Sequence, residues 1–242
     1  MCVICYVPEN TYLPKKSTIK AMWDKNPHGA GVMYKNANNE VFYKKGYFDF
    51  DEFYEELVEI SKRAVEMAIH CRIATSGGIN QEMCHPFNLT SDVEEIKEHS
   101  GYKCDKPVVM HNGVISIEPK YDLNDTCTYI IDTLVPRYKN DPTFMFNQNT
   151  IMDIEDEIGS SKLLIMSIYP TKMIGHWKKD DDGCYYSNLY FKPYDYTRYD
   201  YSRYFTNRKT AKTKIVYGRN SNGYLTKYEV ADDNCLISRD DD

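Results

Sequence analysis

The chain has 242 residues, a formal net charge of −6 and a sequence pI near 5.6, enough length for one domain with a sizeable core or for two small ones. That charge gives no global attraction to nucleic acid or to an anionic membrane surface, and a small neutral or zwitterionic substrate suits it better. No apolar run approaches the ~20 residues of a membrane span, the start lacks the basic and apolar regions of a secretory signal, and the eight cysteines read as reduced thiols, so the expected compartment is the cytosol.

Val3 to Val7 is a β-type run ended by Pro8, Glu9 and Asn10, which places the start of the chain on a sheet. Ser17 to Trp23 predicts a short helix and Asn26 to Gly31 a turn. Val32 to Tyr34 and Val41 to Tyr43 then predict strands joined by a hairpin connection over Asn36 to Glu40. From Asp51 to Glu66 the apolar Phe53, Leu57, Ile60 and Ala64 recur at helical spacing behind an acidic first turn. A buried strand over Ala68 to Ala74 runs into Thr75-Ser76-Gly77-Gly78, and residues 90–106, polar and charged, read as a surface insertion.

Val108 to Met110 and Val114-Ile115 predict strands on either side of His111-Asn112-Gly113. Thr126 to Leu134 predicts a helix capped by Asn124 or Asp125, and Thr150 to Ile158 a second, acidic helix. Three β-rich runs follow: Lys162 to Ile168, Lys172 to Trp177 and Tyr185 to Phe191. Strands, then helices, then strands again predict a layered α+β domain over 1–191. The composition then changes, and 192–242 reads as a tyrosine-rich extension packed on that domain. Tyr190, Tyr194, Tyr196, Tyr199, Tyr201 and Tyr204 crowd one segment and, followed by Arg208, Lys209, Lys212 and Lys214, could stack on and neutralise single-stranded nucleic acid. Packing of the aromatic rings over the domain is the plainer alternative, and a hairpin around Ser221-Asn222-Gly223 supports it.

Cys2 carries the first chemical suggestion. Aminopeptidases generally remove Met before a small residue, and removal of Met1 would set a free α-amine beside the thiol. An α-amine titrates near 8, so one residue could supply both nucleophile and base. Cys2-Val-Ile-Cys5 is the only tight cysteine pair, and a single CxxC without a second pair is weak evidence for zinc.

Other segments add to Cys2. Asn26-Pro27-His28-Gly29-Ala30-Gly31-Val32, His70-Cys71-Arg72-Ile73-Ala74-Thr75-Ser76-Gly77, His85-Pro86-Phe87, His111-Asn112-Gly113-Val114-Ile115 and Asn124-Asp125-Thr126 stand in that order. Together they resemble the ordered blocks of class II glutamine amidotransferases, members of the N-terminal nucleophile hydrolases, and look most like the stand-alone members. Gly175 to Trp177 and Tyr186-Ser187-Asn188 extend the resemblance to about residue 191. Two positions depart from the family pattern: Val3 follows Cys2 where Gly is common, and His28 stands where Asp is usual.

The resemblance implies a four-layer αββα sandwich and cleavage of a glutamine-type side-chain amide through a thioester at Cys2. It implies an oxyanion hole made by the Asn112 side-chain amide and the Gly113 N–H. Arg72 would hold a substrate carboxylate and Asp125 a substrate ammonium, with Thr75 and Ser76 lining the pocket and His28 and Gly29 shaping the turn beside the nucleophile. Such chemistry needs no metal or organic cofactor. No synthetase-like domain is expected in the remaining chain, so an ammonia acceptor would bind a separate synthetase or acceptor-binding subunit.

Each residue also has a plainer reading. Arg72 could be a strand-end surface charge, Asn112-Gly113 a hairpin turn, Asp125 a helix cap, and His70, His85 and His111 hydrogen-bonded structural groups. A catalytically silent binding domain on the same fold is the main alternative, and a zinc or redox protein built on Cys2 and Cys5 a third.

Overall fold

In a computed structural model, residues 2–74 and 78–192 are described, together with the strands over 213–219, 225–231 and 236–237. The chain divides into two compact units, Met1–Pro193 and Tyr194–Asp242. The first is a mixed α/β unit built on two antiparallel sheets. Its elements begin with β1 (Val3–Val7), α1 (Lys16–Lys25), β2 (Ala30–Asn36), β3 (Val41–Tyr47), α2 (Phe50–Ser61) and β4 (Ala64–Cys71). There follow β5 (Phe87–Asn88), α3 (Val93–Lys97), β6 (Ser100–Cys104), β7 (Val108–Asn112), α4 (Asp125–Tyr129), α5 (Val135–Asn140) and α6 (Gln148–Ile158). The unit ends with β8 (Lys162–Met166), β9 (Lys172–Ile174), β10 (Lys178–Lys179) and β11 (Tyr185–Tyr186).

The larger sheet has the order β10-β11-β1-β4-β2-β3-β6 and the smaller β5-β7-β8-β9. Both faces of the central strands are apolar, which is why β1 reads as an unbroken apolar run instead of an alternating one. Val3, Cys5 and Val7 on one face of β1 pack with Ile19 and Met22 of α1 and Phe53, Leu57 and Ile60 of α2. Ile4 and Tyr6 on the other face meet Val108 and Met110 of β7 and Leu164 and Met166 of β8. The outer face of β7 and β8, through Val109, Leu163 and Ile165, buries Ile130, Leu134, Ile151 and Ile154 of the helical segments.

Several predicted elements are corrected by local chemistry. The helix predicted to Glu66 ends at Ser61, and Ala64 opens β4 opposite Asn36. The strand predicted to Ala74 stops at Cys71, because Arg72 and Ala74 bond to the 28–29 turn instead of to a neighbouring strand. Residues 90–106 are part of the fold: Asp92 caps α3, Ile96 is buried, and β6 pairs with β3 at the sheet edge. An edge strand exposed on both faces carries no apolar alternation, so its polarity hid it.

Val114-Ile115 is not a strand. Gly113 has φ +145°, and the Ile115 N–H is taken by the Asp125 carboxylate at 2.9 Å. The helix predicted over Thr126 to Leu134 is capped by Asn124, whose Oδ1 accepts from Cys127 N–H at 2.8 Å. That helix runs on through a π-helical turn, Ile130–Leu134, into α5. The last three runs are also shorter than predicted, with β8 ending at Met166, β9 stopping before Gly175 at φ +87°, and β11 covering only Tyr185–Tyr186.

In the second unit β12 (Thr213–Arg219), β13 (Leu225–Ala231) and β14 (Leu236–Ile237) form an antiparallel three-stranded sheet. Arg219 pairs with Leu225 across the predicted turn. Ser221, Asn222 and Gly223, and the tyrosine cluster from Tyr194 to Tyr204, lie outside the described residues.

Candidate functional site

The site forms where β1, β4 and β7 reach the same end of the two sheets. Val3 pairs with Cys71 and Ala30 with Cys71 on the other side, so the first residues of β1 and the last of β4 leave the larger sheet together. Cys2 therefore sits beside the 72–74 segment. Its Sγ lies 3.3 Å from the Ile73 N–H, which donates to it, and 3.4 Å from the Ile73 carbonyl. The Cys2 carbonyl accepts from Asn188 Nδ2 at 2.7 Å, which fixes the backbone of the residue that carries the thiol.

Arg72 is held by its backbone on both sides. Its N–H donates to Gly29 O at 2.8 Å, and its carbonyl accepts from the His28 N–H at 2.9 Å. His28 Nδ1 accepts from Ala74 N–H at 3.0 Å. Gly29 has φ +108°, and a Cβ there would come 2.5 Å from Cys84 Sγ, so the turn demands glycine. The 28–29 turn thus sets the course of the strand end that carries Arg72.

The smaller sheet delivers the other side. β7 ends at Asn112, and Gly113 turns the chain with a positive φ that also brings it against Ser161, where any Cβ would drive into the Ser161 hydroxyl. Asn112 donates its side-chain N–H to Ser187 Oγ at 2.7 Å, and the same oxygen accepts from Ile4 N–H at 2.8 Å. An amide NH₂ has two hydrogens, so one remains beyond the Ser187 bond. α4 opens next to this turn with Asp125 in its first position.

Cys2, Arg72, Gly113 and Asp125 line one cleft, together with Ile73, His85, His111, Asn124 and Thr126. Asn112 stands behind Gly113, 4% exposed, and is not on the cleft surface. Thr75 and Ser76 lie outside the described residues. The cleft is closed down to about 20 Å³, room for about one water molecule. A larger cavity elsewhere, bordered by Tyr34 and Tyr102, contains none of these residues.

The electrostatics of the cleft follow from burial. The Cys2 thiol is pushed up, chiefly by desolvation, while the Ile73 N–H and the Arg72 guanidinium pull the other way. It is therefore a protonated thiol at neutral pH and needs a proton acceptor before it can attack. Among the described residues the only hydrogen-bond partners of Sγ are the backbone groups of Ile73.

Three buried histidines back the cleft. Burial lowers His70 to about 3, with Arg72 adding to the effect, and lowers His111 to about 4 against an opposing pull from Asp125. His85 is driven well below its ordinary value by burial, then by His70 and His111. His70 Nε2 faces the His111 carbonyl at 3.2 Å, and His111 Nδ1 faces Thr126 Oγ1 at 2.8 Å. His85 lies beside both, its ring tilted to each, with its centroid 4.3 Å from His70 and 6.4 Å from His111, and neither of its nitrogens has a hydrogen-bond partner. The expectation of three hydrogen-bonded histidines holds for His70 and His111 and fails for His85.

Sequence reasoning gave no role to Ser187 or Asn188, although both lay in a segment already matched. Their positions became meaningful only when β11 was seen antiparallel to β1, bringing residues far apart in sequence to the Cys2 backbone. All seven described cysteines are free, and Cys235 lies outside the described residues. No group of three or more His, Cys, Asp or Glu among the described residues could hold a metal ion, and no helix among them is long and apolar enough to cross a membrane.

No family model matches the chain and no curated protein does. Among solved structures it is similar to the glutamine phosphoribosylpyrophosphate amidotransferase from B. subtilis complexed with ADP and GMP, at 13% identity and a TM-score of 0.47. It is also similar to a structure described as the allosteric regulatory enzyme of purine biosynthesis, at 13% identity and a TM-score of 0.43. Each superposition covers 77% of this chain and 41% of the other, so the chain spans less than half the length of these two proteins. The likeness is distant, and the functional reading rests on the cleft itself.

Proposed function

We propose that the protein is a thiol amidohydrolase of the glutamine amidotransferase type, which cleaves the side-chain amide of glutamine or of a γ-glutamyl compound. The observation that carries this reading is convergence: Cys2, Arg72, Gly113 and Asp125 come from four separate stretches of chain and line one cleft. Hydrogen bonding and turn formation account for each residue singly, but do not by themselves call for a thiol, a guanidinium and a carboxylate around the same space.

In this reading Met1 is removed and the α-amine of Cys2 accepts the thiol proton that burial holds in place. The sulfur adds to the amide carbon. The oxygen that gains the electron pair is met by the Gly113 N–H and, once widening of the cleft brings Asn112 to its surface, by the Asn112 hydrogen not committed to Ser187. The α-ammonium returns its proton to the leaving nitrogen, the C–N bond breaks, and a γ-glutamyl thioester remains on Cys2. Water, deprotonated by the same amine, adds to the thioester carbon, the C–S bond breaks, the α-ammonium returns its proton to the Cys2 sulfur, and the carboxylate product is released. Arg72 takes the substrate α-carboxylate and Asp125 its ammonium, and Thr75 and Ser76 keep the pocket-lining role that the family resemblance implies. The chemistry draws on no metal or organic cofactor.

A free amino acid is larger than the present cleft, so substrate entry includes widening it. The three apolar layers that separate α1 and α2, the larger sheet, the smaller sheet and α4 to α6 support the αββα reading of the fold. Ammonia would pass to water or to a separate synthetase or acceptor-binding subunit, and the free thiols suit the cytosol. Ammonia or amine release from a panel of glutamine, asparagine and γ-glutamyl amides tests the proposal. Release from glutamine or a γ-glutamyl member, dependent on Cys2, is expected. A processed protein that cleaves none of them would return the chain to the class of silent binding domains.

A further inference from the structure

A second cavity lies at the other end of β4 from Cys2. It measures about 510 Å³, inside the range of about 300–1,000 Å³ typical of small-ligand sites. Its position follows from register: Cys71 is at the Cys2 end of β4, whereas Ala64 pairs with Asn36, one of the cavity's residues. Seven steps of strand separate the two ends, about 20 Å.

The wall is aromatic. Tyr34 and Phe42 pair across β2 and β3 with rings stacked at 5.0 Å and 12°. Tyr102 of β6 stands edge-on to Phe42 at 5.1 Å and is 80% exposed. The close approach of β6 depends on Gly101, where a side chain would collide with the Tyr43 ring. An exposed tyrosine fixed beside a stacked pair costs burial without adding core, and offers open π faces to a planar ring.

The mouth is cationic. Lys44, Arg63 and Lys103 border the cavity with the single carboxylate Glu40. Lys103 pairs with Glu40 at 2.7 Å and Lys44 with Glu56 at 2.8 Å. Glu40 is further occupied by Asn36 Nδ2 at 2.7 Å. Arg63 sits over the Tyr34 ring, its Cζ 5.4 Å from the centroid, and makes no ion pair among the described residues. A guanidinium at a cationic mouth, on the same cavity as the exposed Tyr102 ring and without an ion-pair partner among the described residues, matches one bound anion in the geometry that forked N–H donors read best.

We propose that this cavity is a second binding site and takes a nucleoside monophosphate, its base on the exposed Tyr102 ring and its phosphate on Arg63. The cavity is large enough for ring, sugar and phosphate together. A polynucleotide is disfavoured by the overall charge of −6. The site is independent of Cys2 and of the amide chemistry.

Calorimetric titration of the full chain with AMP, UMP, adenosine and inorganic phosphate tests it. At least one mononucleotide saturates, with adenosine and phosphate each about tenfold weaker or more. Arg63→Gln weakens the mononucleotide about tenfold and Tyr102→Ala about fivefold, both on surface side chains whose replacement leaves the circular dichroism unchanged. Failure of both mononucleotides to saturate at millimolar concentration would overturn the proposal. So would affinity untouched by both substitutions, which would put the binding elsewhere on the chain, or binding of a short oligothymidine with none of AMP or UMP.

Discussion

The two ends of β4 differ in almost every physical respect. At the Cys71 end the polar groups are buried and closely held. Arg72 is bonded through its backbone to a glycine turn, Cys2 lies against the Ile73 backbone, and Asn112 and Ile4 share the Ser187 hydroxyl. At the Ala64 end the cavity's side chains are mainly aromatic or cationic, Tyr102 is largely exposed, and the cavity's ion pairs, Lys44–Glu56 and Lys103–Glu40, are surface pairs worth little each, beside the one buried pair Lys35–Glu66. A reactive thiol needs an enclosed, fixed setting, since its geometry decides its chemistry. A reversible binding face needs only open surface of the right kind. One strand thus connects the proposed reactive site, built by constraint, to the proposed binding site, built by exposure.

Substitutions at the enclosed end should cost the most. Cys2→Ala is expected to lower amide cleavage by about 10⁴-fold or more and to leave mononucleotide affinity unchanged, which assays of both activities on one preparation would show. Retained cleavage would remove the thiol from the mechanism.

The next effect is acid sensitivity. His70 and His111 titrate near 3 and 4 in the fold, and His85 is likewise depressed, against an ordinary value of 6.5. Between these values the unfolded chain binds more protons than the folded one, so stability falls as pH drops below about 6.5 and is fully retained above it. Three such groups remove about 3–4 kcal/mol between pH 6 and 5. Urea midpoints across that interval measure it. His85→Phe, which gives up no hydrogen bond, should reduce the slope by about a third, and an unchanged slope would mean that His85 is not neutral in the fold.

Gly113→Ala, at φ +145° and against the Ser161 hydroxyl, should cost about 2–3 kcal/mol of stability, read in the same urea titration. Arg72→Gln should lower kcat/KM for glutamine about thirtyfold, with a smaller loss for a substrate lacking the α-carboxylate. Equal losses for both would make Arg72 structural. Smallest is Ser187→Ala. It frees the Asn112 amide and the Ile4 N–H and should cost about 1–2 kcal/mol, appearing in kcat more than in KM if Asn112 serves the oxyanion.

The sequence made the enclosed end more legible than the open one, for a physical reason. Tight turns and buried polar groups admit few residues, so Gly29, Arg72, Gly113 and Asp125 stand out as residue types even before their contacts are known. The long apolar runs of β1, β4 and β7 were likewise readable, because strands buried on both faces leave an unbroken signal. β6 was not, being an exposed edge strand, and the cavity it walls with β3 passed unseen inside a segment that read only as polar. The ends of α2 and β8 were missed because turn chemistry, at Lys62 and after Met166, decides boundaries that periodicity does not mark. Ser187 and Asn188 depend on pairing between β11 and β1, a long-range relation with no local trace.

Mass spectrometry of the purified protein after treatment with 6-diazo-5-oxonorleucine tests the central claim most directly. The account predicts a chain lacking Met1 that carries one adduct, mapped to Cys2 and blocked by excess glutamine. A chain that has lost Met1 and remains unlabelled at Cys2, or is labelled equally at the other thiols, would contradict it.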